Sequence, residues 1–142
     1  MTTDNFVERI LSEYEKVTTR EDTERAVLKD CIISDISSTD LRGALTRKLA
    51  ARILHCSLQR LTDEPDDDWG PARNFKDIYD CRVCANAVAQ VSVKGIMVPV
   101  AEDLFGMTEI LSDSEAETAI LRLFDSSKRV TIVLGLKNLG NR

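Results

Sequence analysis

The sequence predicts a mainly α-helical domain: a compact bundle of helix-loop-helix units with a short C-terminal β-strand. Three observations predict it. Apolar residues recur at helical spacing in several long stretches. A Ser or Thr followed three residues later by Glu, the signature of a helix start, opens two of them. Aromatic residues make up only 5% of the chain, so the core must be built from Leu, Ile, Val and Ala, a composition that favours helices. At 142 residues the chain fills one domain, which can bury a single core without metal or disulfide staples.

The elements follow in order. Over residues 4–17, Phe6, Val7, Ile10, Leu11 and Tyr14 share one helical face. Thr18 and Glu21 form a capping box that opens a second helix running to about Ile33. The stretch SDISSTD, residues 34–40, is rich in turn and cap formers and separates that helix from a third. In the third, Leu45, Leu49, Ile53, Leu54, Leu58 and Leu61 form one apolar stripe. TDEPDDDWGPARN, residues 62–74, combines Pro, Gly and consecutive acids and reads as an exposed, solvated connector. Asp80 is placed to cap a helix from Cys81 to Lys94, with Gly95 as its stop, and a loop with Pro99 follows. Ser112 and Glu115 open the last helix, with Ala116, Ala119, Ile120 and Leu123 inward. RVTIVLGL, residues 129–136, has the β-branched run of a strand.

Charge and cysteine usage narrow the function. A formal charge of −5 argues against gripping phosphate backbones, so no nucleic-acid partner is expected. No apolar run is long enough for a membrane span, and the first residues, MTTDNFVERI, lack the pattern of an export signal; as written, the chain reads as soluble and cytoplasmic. Cys31, Cys56, Cys81 and Cys84 sit mostly in apolar runs, as small hydrophobes in a reducing compartment do.

A recurrent unit is visible, a helix opening at a Thr or Ser cap with Ala and Leu on one face: TTREDTERAVLKDC, LTRKLAARILHCSL and LSDSEAETAILRLF. The second half of the chain resembles the S-layer homology repeat family. Phe75, Asp77 and Ile78 stand for its opening Phe-x-Asp-Val/Ile signature, Ala87 and Val88 for its first helix, and Gly95 and Ile96 for that helix's end. Phe105 stands for the loop anchor and Ser112 to Glu115 for the second helix start. The chain then divides into degenerate N-terminal repeats over 1–61, the connector 62–74, the best-preserved unit over 75–124 and a tail over 125–142. The resemblance implies a helical bundle whose inter-repeat grooves bind secondary cell-wall polysaccharide, with the motif Arg on acidic sugar groups. That Arg corresponds to Arg20 and Arg47, whose planar fork suits a carboxylate. Ion pairing with Glu21 or Asp40 stands beside that role for both. The chain departs from the motif at Leu49 in place of Glu, Asp113 in place of Arg, Val83 in place of Trp and Cys84 in place of Ala.

Other chemistry is less well supported. Cys81 and Cys84 form a CxxC pair, but without the strand before it and the Pro within it that a thioredoxin-like site carries; packing is the preferred reading. A thiol or zinc site would have to draw on Cys81, Cys84, His55 and Cys56, whose spacing matches no standard second ligand pair. His55 is the only histidine, and no nucleophile turn such as GxSxG accompanies it, so no enzyme and no cofactor are expected. Arg42, Arg47, Lys48, Arg52 and Arg60 read as the solvated face of a helix, and also as the place where an anionic sugar would bind. The expected function is non-catalytic recognition of an anionic cell-envelope polysaccharide, with Arg47→Ala weakening binding and sparing the fold. An intracellular protein-interaction scaffold and a thiol- or zinc-dependent regulator are the alternatives.

Overall fold

The computed structural model describes residues 1–18 and 22–131, and the architecture is mainly helical. Six α-helices are present among them: α1 (Thr3–Lys16), α2 (Asp22–Ile33), α3 (Ser38–Arg42), α4 (Arg47–Arg60), α5 (Ala85–Val93) and α6 (Asp113–Phe124). Short 3-10 turns cover Gly70–Asn74, Arg82–Cys84 and Ser126–Lys128. Most of the expected strand over 129–136 lies outside the described residues, as do Arg20 and part of the Thr18–Glu21 box.

α4 is the central element and packs against α1, α2, α5 and α6. Its apolar stripe explains why: Leu49, Ala50, Ala51, Ile53, Leu54 and Leu58 are all buried. Phe6, Val7, Ile10 and Leu11 of α1 and Ala116, Ala119, Ile120 and Leu123 of α6 complete the core around it. Fully burying a Leu, Ile or Phe side chain contributes about 2 kcal/mol, so the repeated stripes are the main source of stability.

The starts of α1, α4 and α6 are capped alike and lie together. Thr2, Thr46 and Ser112 each accept a backbone N–H of the first turn, from Asn5, Leu49 and Glu115. Ser112 and Glu115 complete a reciprocal capping box, as their spacing indicates. Isolated antiparallel bridges pair Thr2 with Ala44 and Thr46 with Ile110, so a few extended residues tie the helix starts to one another. Thr3 N–H donates to the Gly43 carbonyl, Arg47 N–H to that of Glu109 and Lys48 N–H to that of Met107. Thr2 of α1 is a capped start upstream of the expected TTREDT segment, of which residues 19–21 lie outside the described residues.

Two segments differ from the sequence expectation for identifiable reasons. The helix expected from Cys81 begins as a 3-10 turn, and α5 proper starts at Ala85, because Cys81 and Cys84 are joined by a disulfide across that turn. SDISSTD contains the start of α3, whose N-cap Ser37 accepts the Asp40 N–H; a turn-rich composition is also a cap-rich one. At the other end of α5, Gly95 takes φ +74, Gly95 N–H bonds Ser92 and Ile96 N–H bonds Val91, which is a Schellman stop. A Cβ at Gly95 would lie 1.9 Å from the Val130 carbonyl oxygen, so the position needs glycine on two counts.

The connector 62–74 is fastened to α5. Gln90, 1% exposed, donates to the Asp67 carbonyl and accepts the Asp67 N–H, each at 2.8 Å. Lys94 Nζ bonds the Pro65 carbonyl at 2.8 Å and lies 3.0 Å from Glu64 and 3.1 Å from Asp67. Arg129 also closes on Glu64 with two bonds, of 2.8 and 2.9 Å. Burial works to raise the Glu64 carboxyl pKa, but the bonds from Arg129 and Lys94 outweigh it and hold the group below its ordinary 4.5. A carboxyl held low in the folded state contributes stability above pH 4.5 that is lost as pH falls through the folded value. Glu64→Gln is therefore expected to cost about 2 kcal/mol at neutral pH and to flatten the acid loss below it. Urea unfolding of both proteins on either side of pH 4.5 checks this.

Candidate functional site

Arg47 opens α4 and is 3% exposed. Its Nε donates to the Phe105 carbonyl at 3.0 Å, one terminal nitrogen to the Val98 carbonyl and the other to Glu115 Oε2 at 3.3 Å. The guanidinium also lies 4.8 Å from the centre of the Phe105 ring. Burial lowers its pKa, the carboxylates of Glu115, Glu109 and Asp77 pull the other way, and a guanidinium stays charged at any physiological pH.

Asp77 faces the same loop from the other side. It is 6% exposed, and its carboxylate accepts the backbone N–H groups of Phe105, Gly106 and Met107 at 3.0, 2.8 and 3.3 Å. The Phe75 and Phe105 rings pack 6.1 Å apart. The residues behind the sequence resemblance, Phe75, Asp77, Phe105, Arg47, Ser112 and Glu115, are thereby brought into one cluster. Within it, Arg47 spends its donors on internal acceptors. The adjoining cavity, about 220 Å³ between Arg47, residues 96–98 and α6, includes Glu115 and Arg122 in its wall.

A larger groove, about 650 Å³, runs between α2, α4 and α5. Its floor and walls include Cys31, Asp35, Arg52, His55, Cys56, Gln59, Val83 and Asn86. One turn of α4 supplies Arg52, His55 and Cys56, because the apolar stripe faces inward and leaves this side towards α2. Arg52 is half-buried, lines the groove and donates to the Asp35 carbonyl at 3.2 Å. His55 Nε2 is 2.8 Å from Asp66, whose other oxygen accepts from Asn86 at 2.9 Å. Trp69 Nε1 in turn donates to the Asn86 amide oxygen at 2.9 Å. Burial tends to raise the Asp66 pKa, and the bonds from Asn86 and His55 prevail, holding it below 3.8.

The four residues of the thiol or zinc set are distributed differently. Cys81 and Cys84 are bonded to each other, Cα atoms 5.2 Å apart, which corrects the reading of two packed thiols; Cys84 is also a core residue, 1% exposed. The disulfide occupies both sulfurs, leaving no thiolate to bind a metal. Cys56 donates to the Cys31 carbonyl, and burial pushes its thiol pKa up, which disfavours the standing thiolate that a metal ligand or a first nucleophile would be. Among the described residues, no three His, Cys, Asp or Glu side chains gather as a metal site would require.

Sequence reasoning placed Arg52 in the basic face of α4 but did not single it out. The groove lies between helices distant in sequence, a juxtaposition that periodicity does not encode. Fold and groove together define a small helical domain with a polar recess beside its central helix. No protein-family model, curated protein or solved structure matches the chain. No helix among the described residues is long and apolar enough to cross a membrane.

Proposed function

We propose that the chain is a non-catalytic binding module that recognises an anionic cell-envelope polysaccharide, and that the groove between α2, α4 and α5 is where it does so. The observation that carries this reading is the contrast between two arginines of one helix. Arg47 is buried and committed to internal carbonyls and Glu115, whereas Arg52 is half-buried, lines a groove of about 650 Å³ and donates to the Asp35 carbonyl. That volume is of the size that takes a ligand of a few sugar rings, and a guanidinium lining it suits a sugar carboxylate. Binding is thereby reassigned from Arg47 to Arg52, with Gln59 as a neighbouring amide. The Cys81–Cys84 disulfide favours an oxidising location such as the envelope over the reading as an intracellular scaffold. Exposed Val83, which lines the groove, favours that second reading, of a protein partner.

The test is co-sedimentation with Gram-positive cell walls before and after their secondary polymers are stripped. The expected result is binding to intact walls only, weakened at least about tenfold by Arg52→Ala, the loss typical of a charge-assisted hydrogen bond. Binding that survives stripping, or none to either preparation, overturns the proposal and moves the weight to a protein partner.

A further inference from the structure

Four cysteines are present, and the fold bonds two of them. The other two, Cys31 on α2 and Cys56 on α4, are free, half-buried and on facing walls of the same groove. They are close: Cys56 Sγ donates to the Cys31 carbonyl oxygen at 3.7 Å. Closing a bond between them then takes rotation about the Cα–Cβ bonds to bring the two sulfurs together.

We propose that Cys31 and Cys56 are a redox-active thiol pair, which a disulfide oxidant of the glutathione type converts into a second disulfide joining α2 to α4 across the groove wall. Burial holds the Cys56 proton, so Cys31 is the first nucleophile. The Cys31 thiolate attacks one sulfur of oxidised glutathione, the glutathione S–S bond breaks, and one glutathione leaves carrying the proton that Cys31 released. Cys56, giving up its proton, then attacks the Cys31 sulfur and expels the second glutathione as a thiol. The two protein thiols lose two electrons in all, and one glutathione disulfide gains them. The proposal stands on the positions of the thiols and holds whatever the groove binds.

The experiment is incubation of the native protein with oxidised glutathione, alkylation of remaining thiols, and tryptic mass mapping without reduction. Cleavage after Lys29, Arg42, Arg52 and Arg60 puts Cys31 in peptide 30–42 and Cys56 in peptide 53–60, apart from the peptides holding Cys81 and Cys84. A linked pair of 30–42 and 53–60 is expected, with a thermal midpoint raised by roughly 5–10 °C because the closed loop constrains the unfolded chain. In Cys56→Ser the glutathione adduct is expected to persist on Cys31. Both cysteines remaining alkylatable, a glutathione adduct persisting on Cys31 of the parent protein, or linkage only between separate copies overturns the proposal.

Discussion

Asp77→Ala is expected to lower the unfolding free energy by about 4 kcal/mol in a urea titration, among the largest effects for a single polar side chain here. The carboxylate satisfies three consecutive N–H groups, those of Phe105, Gly106 and Met107, in a site from which water is excluded. Removing it strands all three, and each stranded buried donor costs about 1–3 kcal/mol, less what the loop recovers by relaxing. Asp77→Asn separates charge from geometry. Its amide keeps one acceptor oxygen but places an NH₂ against at least one backbone donor, so a loss of about 2 kcal/mol is expected. Equal losses in the two variants would mean that charge, and not the number of acceptors, holds the loop.

Arg47→Ala is expected to cost about 3 kcal/mol by the same measurement, so the sequence-based expectation of an intact fold changes. The ion pair with Glu115 is a minor part, because the Glu115 side chain is 55% exposed and solvent screens it. Most of the loss comes from the Phe105 and Val98 carbonyls, which lose charged donors, and from the space left over the Phe105 ring. Arg47→Lys recovers little, since a single ammonium cannot serve two carbonyls on either side of a planar fork. Glu115→Gln should cost less than about 1 kcal/mol. If it costs as much as Arg47→Ala, the ion pair is the dominant contribution after all.

What was legible in the sequence follows the range of the forces involved. The stripes of α1, α4 and α6 were read correctly because burial of one helical face is a local pattern, and the Ser112–Glu115 box and the Gly95 stop because caps need particular residues at fixed offsets. The start of α5 was misplaced because Cys81 and Cys84 bond to each other, and spacing alone does not separate a disulfide from two packed thiols. Arg47 looked like a surface guanidinium because its acceptors are the backbone carbonyls of Phe105 and Val98, some fifty residues away, and a carbonyl acceptor leaves no mark in residue type. The connector's acids Asp66, Asp67 and Asp68 are exposed, as the sequence indicates; what it does not show is that the connector is held by Gln90 and Lys94, which the pattern marks only as polar. The groove was not legible, since it is formed by three helices that periodicity treats one at a time.

The tied helix starts also bear on how the chain is completed as it is made. α4 can coil as soon as its own residues emerge, but Thr46 pairs with Ile110, and the N–H groups of Arg47 and Lys48 bond the carbonyls of Glu109 and Met107. Those partners are synthesised about sixty residues later, several seconds at ordinary elongation rates. Through that interval the central helix has its stripe but not its anchorage, while the Thr2–Ala44 bridge of α1 needs only residues already made. A nascent chain stopped near the connector would therefore hold helices without a finished core, and only the arrival of the 105–111 segment, with α6 behind it, completes the packing around α4.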